Sequence, residues 1–181
     1  MVVILLGNGF EDIEALAPCD VLRRGGLKVV LAGIGSKDIV SSRGVTVKAD
    51  CILDELDASD MEQLIIPGGN GGVDSIWSSG EAIALIKNAH ERGIPTAAIC
   101  AGPVILSRLG YLETKQAVCH PSRAAELTCA GYHPDKSTVR DGDIITGRAA
   151  GASIDFGFAI LTALKGESVA CTVAEAMCYD I

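Results

Sequence analysis

Four short stretches bring together residue types that could do covalent chemistry. Cys100 follows Ala97-Ala98-Ile99 and precedes Ala101-Gly102-Pro103. An apolar run, a small-residue turn and a proline-started helix make the strand–turn–helix pattern of a nucleophile elbow. Small neighbours permit the tight turn, and amides near a helix N-terminus favour an anion. Both would lower the thiol pKa and raise the reactive thiolate fraction. The alternative is a buried core cysteine, a common role for the residue. Glu14 falls in the first turns of the helix after Gly7-Asn8-Gly9-Phe10. A carboxyl in an apolar pocket beside a thiolate tends to hold its proton, because two anions cannot share the space. It could then donate a hydrogen bond to sulfur. An acid complementing the helix dipole is the other reading, and it suits Glu11 and Asp12 better.

His120, at the end of an apolar run and before Pro121, could serve Cys100 as a base or simply cap a loop. Gly68-Gly69-Asn70-Gly71-Gly72 lacks the Lys-Ser/Thr of a P-loop, and no GxGxxG follows the first strand, so no nucleotide is expected. An oxyanion pocket on the Gly69 and Ala101 amides fits better. Three scattered histidines and no CxxC pair argue against a metal.

Positioning these residues requires a scaffold that brings strand ends together. Apolar runs at Val2–Leu6, Lys28–Ile34, Val45–Val47, Gln63–Ile66, Pro95–Ile99 and Gln116–Cys119 read as strands. Thr138–Arg140 and Ile144–Thr146 flank Asp141-Gly142-Asp143 as a hairpin. Helices are expected over Glu11–Arg24, with a kink or restart at Pro18, and over Glu81–Arg92, Pro103–Leu109, Pro121–Ala130 and Ser153–Leu164. Ser36–Gly44 reads as a polar loop, and Val169–Met177 fits either a strand or a helix. Repeated βα units imply a mostly parallel sheet with helices on both faces, in one domain spanning residues 1–181. In such sheets ligands bind beyond the carboxyl ends of the strands. Cys100, His120 and the glycine run are all expected there.

Composition narrows the partners. The 181 residues are 49% hydrophobic and only 4% aromatic, so Val, Ile, Leu and Ala must build the core. A net charge of −8 argues against nucleic acid and anionic membranes. The stretch from Ala149 to Leu164 is too short and too polar for a membrane span. Seven cysteines without pairing spacing, behind an N-terminus that lacks a basic leader region, are expected to be reduced thiols in the cytoplasm.

Taken together, these stretches make the chain similar to the DJ-1/ThiJ/PfpI family, closest to its DJ-1/ThiJ branch, over essentially its whole length. The resemblance is carried by Glu11-Asp12-Ile13-Glu14, Asp20-Val21-Leu22-Arg23-Arg24-Gly25-Gly26, Ser42-Arg43-Gly44, Leu64-Ile65-Ile66-Pro67-Gly68-Gly69-Asn70, the elbow at Cys100, His120-Pro121 and Thr146-Gly147-Arg148. It implies a flavodoxin-like three-layer sandwich related to class I glutamine amidotransferase domains, usually a homodimer. It implies Cys100 as nucleophile against a protonated Glu14, with Gly69 and Ala101 supplying an anion pocket that Gly68 and Asn70 complete. His120 matches the family's histidine near the site. Arg43 matches a position near the partner subunit's pocket, and Arg148 a pocket-rim arginine. The PfpI-like proteases carry a histidine directly after the nucleophile. Here that residue is Ala101, which argues against peptidase activity. Ala15 stands where related chains often place a hydroxyl residue.

Two activities suit these residues. One is cofactor-independent, glyoxalase III-like conversion of methylglyoxal to lactate, or the related repair of glycated groups. The other is a redox-sensing or chaperone-like protein whose Cys100 oxidises to the sulfinate.

Overall fold

The computed structural model describes every residue, Met1–Ile181. The strands are β1 (Val2–Leu6), β2 (Val29–Gly33), β3 (Asp38–Val40), β4 (Thr46–Lys48), β5 (Cys51–Ile52), β6 (Gln63–Ile66), β7 (Thr96–Ile99), β8 (Gln116–Ala117), β9 (Gly131–Tyr132), β10 (Thr138–Asp141) and β11 (Ile144–Gly147). The helices are α1 (Asp12–Arg24), α2 (Asn70–Ser78), α3 (Gly80–Glu91), α4 (Pro103–Arg108), α5 (Ser153–Lys165) and α6 (Glu167–Met177). Seven strands form one sheet in the order β10-β11-β7-β6-β1-β2-β5. All its pairings are parallel except β10 with β11.

Side chains alternate across this sheet, as the two-residue period of a strand requires. Val2, Ile4 and Leu6 of β1 face α1, α5 and α6, while Val3 and Leu5 face α2, α3 and α4. Ile65, Ala97 and Ile99 join the first layer; Leu64, Ile66 and Ala98 join the second. With both faces covered, the central strands are fully buried and read as continuous apolar runs. The result is the flavodoxin-like three-layer arrangement.

Several local expectations are corrected. Ser36–Gly44 is not an open loop, because β3 pairs with β4 as an antiparallel hairpin outside the main sheet. The main sheet ends on that side with the two-residue β5, too short for a pattern to register. β8 ends at Ala117 and pairs with β9, also outside the main sheet. Pro121–Ala130 is not an α-helix: a 3-10 turn spans Pro121–Glu126, and Gly131 opens β9. Pro18 causes no restart, since α1 runs unbroken through it. Its contact with α5 holds the helix where one backbone bond is missing. Helix α2 begins within the glycine run, which the composition of that run conceals. The Val169–Met177 ambiguity resolves as α6, whose Ala170, Val173 and Ala174 cover α5. No helix is long and apolar enough to cross a membrane.

Helix α1 carries Glu14, so its seating on α5 matters to the site. Gly157 allows a close approach: a Cβ there would lie 3.0 Å from the Pro18 Cα and 3.1 Å from the Val21 Cβ. Gly157→Val is therefore expected to lower stability by about 1–3 kcal/mol through overpacking. Urea denaturation of the variant against wild type checks this; an unchanged midpoint would mean that the two helices can separate freely.

Candidate active site

Cys100 follows β7 directly and adopts φ 64°, a left-handed conformation that is uncommon outside glycine. Neighbouring strands and loops hold it there. Its N–H donates to the Gly147 carbonyl at 2.9 Å, extending the β7–β11 ladder, and its carbonyl accepts from the His120 N–H at 2.9 Å. The Gly102 N–H closes the turn onto the Ile99 carbonyl at 2.8 Å. A side chain at Gly102 would collide with the Ile66 carbonyl at 2.6 Å. The elbow thus needs a glycine at its second turn residue and strain at its cysteine.

Glu14 enters from α1 and is fully buried. Its Oε2 accepts from the Gly68 N–H at 2.9 Å, while Oε1 has no hydrogen-bond partner. Gly68 is wedged between the two key residues. A Cβ on it would sit 2.4 Å from Glu14 Oε2 and 2.7 Å from the Cys100 Cβ. Gly69 takes φ 85°, starts α2 through its carbonyl, and turns its N–H toward the thiol, as Ala101 does.

Burial pushes the Glu14 carboxyl up to about 7, and the charge of Glu11 acts the same way; the thiol and the Gly68 amide oppose both. Burial also pushes the Cys100 thiol up, to about 12, with the Glu14 charge adding to it. The Gly69 and Ala101 amides work downward but are the smaller effect. The expected lowering of the thiol pKa is therefore reversed, because desolvation of a half-buried sulfur outweighs two amide dipoles. The two groups titrate as a pair that keeps a proton through neutral pH. An unpartnered, buried Oε1 is where that proton can serve as a donor.

Both groups border a cavity of about 530 Å³ that no large apolar side chain lines, Glu14 from beneath its surface. Gly69, Asn70, Ala101, His120 and Arg43 line it. Gly68 lies just beneath, bonded to Glu14. Arg43 borders the pocket of its own chain, largely exposed, with Nε 3.9 Å from Glu11 Oε2. Arg148 is not brought to the cavity: its side chain turns to the Pro134 carbonyl at 3.3 Å, and its N–H to that of Ser137. The pocket cation missed by sequence reasoning is Arg123. An α-helix over Pro121–Ala130 would not single it out. The tighter 3-10 turn eclipses positions three apart, pairing it with Glu126.

His120 caps that turn. Its Nδ1 accepts from the Ser122 N–H at 3.2 Å and lies 2.8 Å from Ser122 Oγ. A neutral ring so engaged carries its proton on Nε2, which makes it a donor rather than a base at the remaining nitrogen. The structure gathers no group of three or more His, Cys, Asp or Glu side chains that could hold a metal ion.

A family model described as DJ-1/PfpI family matches residues 1–163. Protein DJ-1 homolog B of Arabidopsis thaliana is 34% identical over 91% of the chain, which spans 38% of that longer protein. Deglycase TK1284 of Thermococcus kodakarensis is 31% identical, over 83% of this chain and 90% of its own. The crystal structure of Drosophila melanogaster DJ-1beta superposes with a TM-score of 0.94 at 30% identity, covering 99% of this chain and 98% of that one. The structure of oxidized Toxoplasma gondii DJ-1 gives 0.94 at 27% identity, with the same coverage.

A raised carboxyl pKa has a definite signature in stability. In the unfolded chain Glu14 ionises near 4.5, and in the folded one at about 7. The folded state therefore holds the extra proton between these values, and this contribution is lost as pH rises through 7. Relative to wild type, Glu14→Gln should gain about 3 kcal/mol between pH 4 and pH 8.5. Denaturant melts at the two pH values measure the change; a pH-independent difference would show that Glu14 ionises normally.

Proposed function

The chain belongs to the DJ-1/PfpI family, and from that membership we propose that it is a cofactor-independent, cysteine-dependent enzyme acting on methylglyoxal or on glycated groups. The observation that carries this reading is the buried pair at the cavity floor. A strained, half-buried Cys100 shares its environment with a carboxyl whose pKa is about 7. A group near neutrality can both take and return a proton at working pH. The relative from Thermococcus kodakarensis named a deglycase adds support.

The chemistry follows from the pair. Ionised Glu14 takes the thiol proton as sulfur attacks the aldehyde carbon of methylglyoxal. The carbonyl electrons move to oxygen, and the oxyanion is held by the Gly69 and Ala101 amides before taking a proton as the hemithioacetal. Glu14 then removes the hydrogen on that carbon as a proton, giving an enediol as the neighbouring carbonyl oxygen gains one. Return of a proton to the second carbon leaves the thioester of lactate. Water cleaves the carbon–sulfur bond, releasing lactate and restoring the thiol. No electron is gained or lost overall. Ala101 after the nucleophile leaves no adjacent histidine for a peptidase of the PfpI kind.

A second reading is favoured by one observation, the unpartnered Oε1 of Glu14. Protonated, it could donate to a sulfinate oxygen as well as to sulfur, which suits a redox-responsive protein. An oxidized state is named for the similar Toxoplasma gondii structure.

We also infer a homodimer. Ile13 and Leu16 are 49% and 36% exposed on α1. Val40 and Val45 are exposed on the β3–β4 hairpin, whose backbone is bonded to the loop before α1. Together they form apolar surface suited to a second copy.

Lactate release from methylglyoxal should fall by about a hundredfold or more in Cys100→Ser and Glu14→Gln. His120→Ala, which removes mainly a turn cap, should cost far less. In wild type, kcat/KM should rise with pH through about 7 as the pair loses its first proton. Full turnover in Cys100→Ser would rule out the covalent route. Sedimentation should show Leu16→Glu shifting the protein from dimer toward monomer; an unchanged mass would place the interface elsewhere.

A further inference from the structure

The cavity carries a charge distribution that a chain of net charge −8 does not foreshadow. Its floor acid, Glu14, is held largely protonated up to neutral pH. Its rim acid, Glu11, is committed to Ser42 Oγ at 2.7 Å and to Arg43. Arg123, which lines the same cavity, has only 16% of its side chain exposed. Its Nε and Nη2 donate to Glu126, and its Nη1 donates to Asn70 Oδ1 at 2.9 Å. Arg108 Nη2 reaches the same Glu126 carboxylate at 3.0 Å. One carboxylate between two guanidiniums leaves one positive charge uncompensated.

Five N–H donors belong to a guanidinium. Three of those on Arg123 are engaged, which leaves two for a ligand. The bond from Nη1 also fixes Asn70 with its Oδ1 turned to the arginine, so that the Asn70 amide nitrogen remains a donor. Arg123 is more shielded from solvent than Arg43, whose side chain is 77% exposed, so its field is less screened by salt. No large apolar side chain lines the cavity to favour a neutral, greasy substrate.

We propose that Arg123 is a specificity-determining residue that selects substrates carrying a carboxylate beside the carbon that Cys100 attacks, over neutral ones of equal size. The proposal rests on the reading of Cys100 as the nucleophile but not on lactate formation. Arg123 supplies the charge and its two remaining N–H donors, from which a carboxylate can accept charge-assisted bonds. Asn70, held by Arg123, supplies a further donor.

Two alkylating agents of nearly equal size isolate the effect of charge. Iodoacetate and iodoacetamide each form a sulfur–carbon bond and release iodide, and differ in a carboxylate against a neutral amide. The rates at Cys100 are followed by mass spectrometry of its peptide, and their ratio is compared with that of a free thiol. Wild type should favour iodoacetate more than the free thiol does. Arg123→Gln should lower the ratio by roughly three- to tenfold, the iodoacetate rate falling more than the iodoacetamide rate. Arg123→Lys should keep most of the preference. Glu126→Gln, which frees positive charge, should raise the ratio, and added salt should shrink every difference. A ratio unmoved by both Arg123→Gln and Glu126→Gln would overturn the proposal. So would parallel loss of both rates in Arg123→Gln, the mark of a disordered loop. Absence of any iodoacetamide reaction at Cys100 would overturn the nucleophile reading and the proposal with it. A failed lactate assay with an intact alkylation preference would reject only the proposed turnover.

Discussion

Burial of one carboxyl governs the site. Glu14 has no access to solvent, and its only conventional hydrogen bond is from the Gly68 amide. A charge in such surroundings is costly, so the group holds its proton to about pH 7. Burial of Cys100 raises its thiol as well, and the Glu14 charge adds to that. The thiol here is not acidified by a helix terminus. Two desolvated groups instead stand side by side, each holding its proton more firmly than it would in water.

Keeping the carboxyl and the thiol together depends on missing side chains. Gly68 stands between them where a single methyl group would strike both. Gly102 lets the elbow pass the Ile66 carbonyl, and Gly157 lets α1 settle on α5 so that Glu14 reaches the strand ends. The strained φ of Cys100 persists because β11 and the His120 backbone pin it from either side. Parallel strands buried on both faces make this possible, for they bring the ends of β1, β6 and β7 into one row.

Much of this was legible in the residues. The central strands β1, β2, β6 and β7 announced themselves as apolar runs between breakers, and Pro103 marked the start of α4. Cys100 and the Gly68-Gly69-Asn70 turn were readable because small residues follow apolar strands there, and Glu14 because it falls in the first turns of α1. Short or irregular pieces were not readable. The edge strand β5 has two residues, α2 starts inside a glycine run, and the 3-10 turn after His120 mimics a helix in its composition. Only the family resemblance pointed to Arg148 as a rim residue; its side chain instead bonds the loop at Pro134.

By itself, then, the amino-acid order determined the layered α/β architecture, the elbow at Cys100 and the acid it would meet. These rest on local period, turn chemistry and breaker positions, which are written in adjacent residues. Tertiary structure alone decided the protonation of the pair, the capping role of His120 and the choice of Arg123 over Arg148 at the cavity. Each of those depends on desolvation or on a contact between segments far apart in the chain. Burial and long-range distance are properties of the folded chain and have no counterpart in a linear pattern.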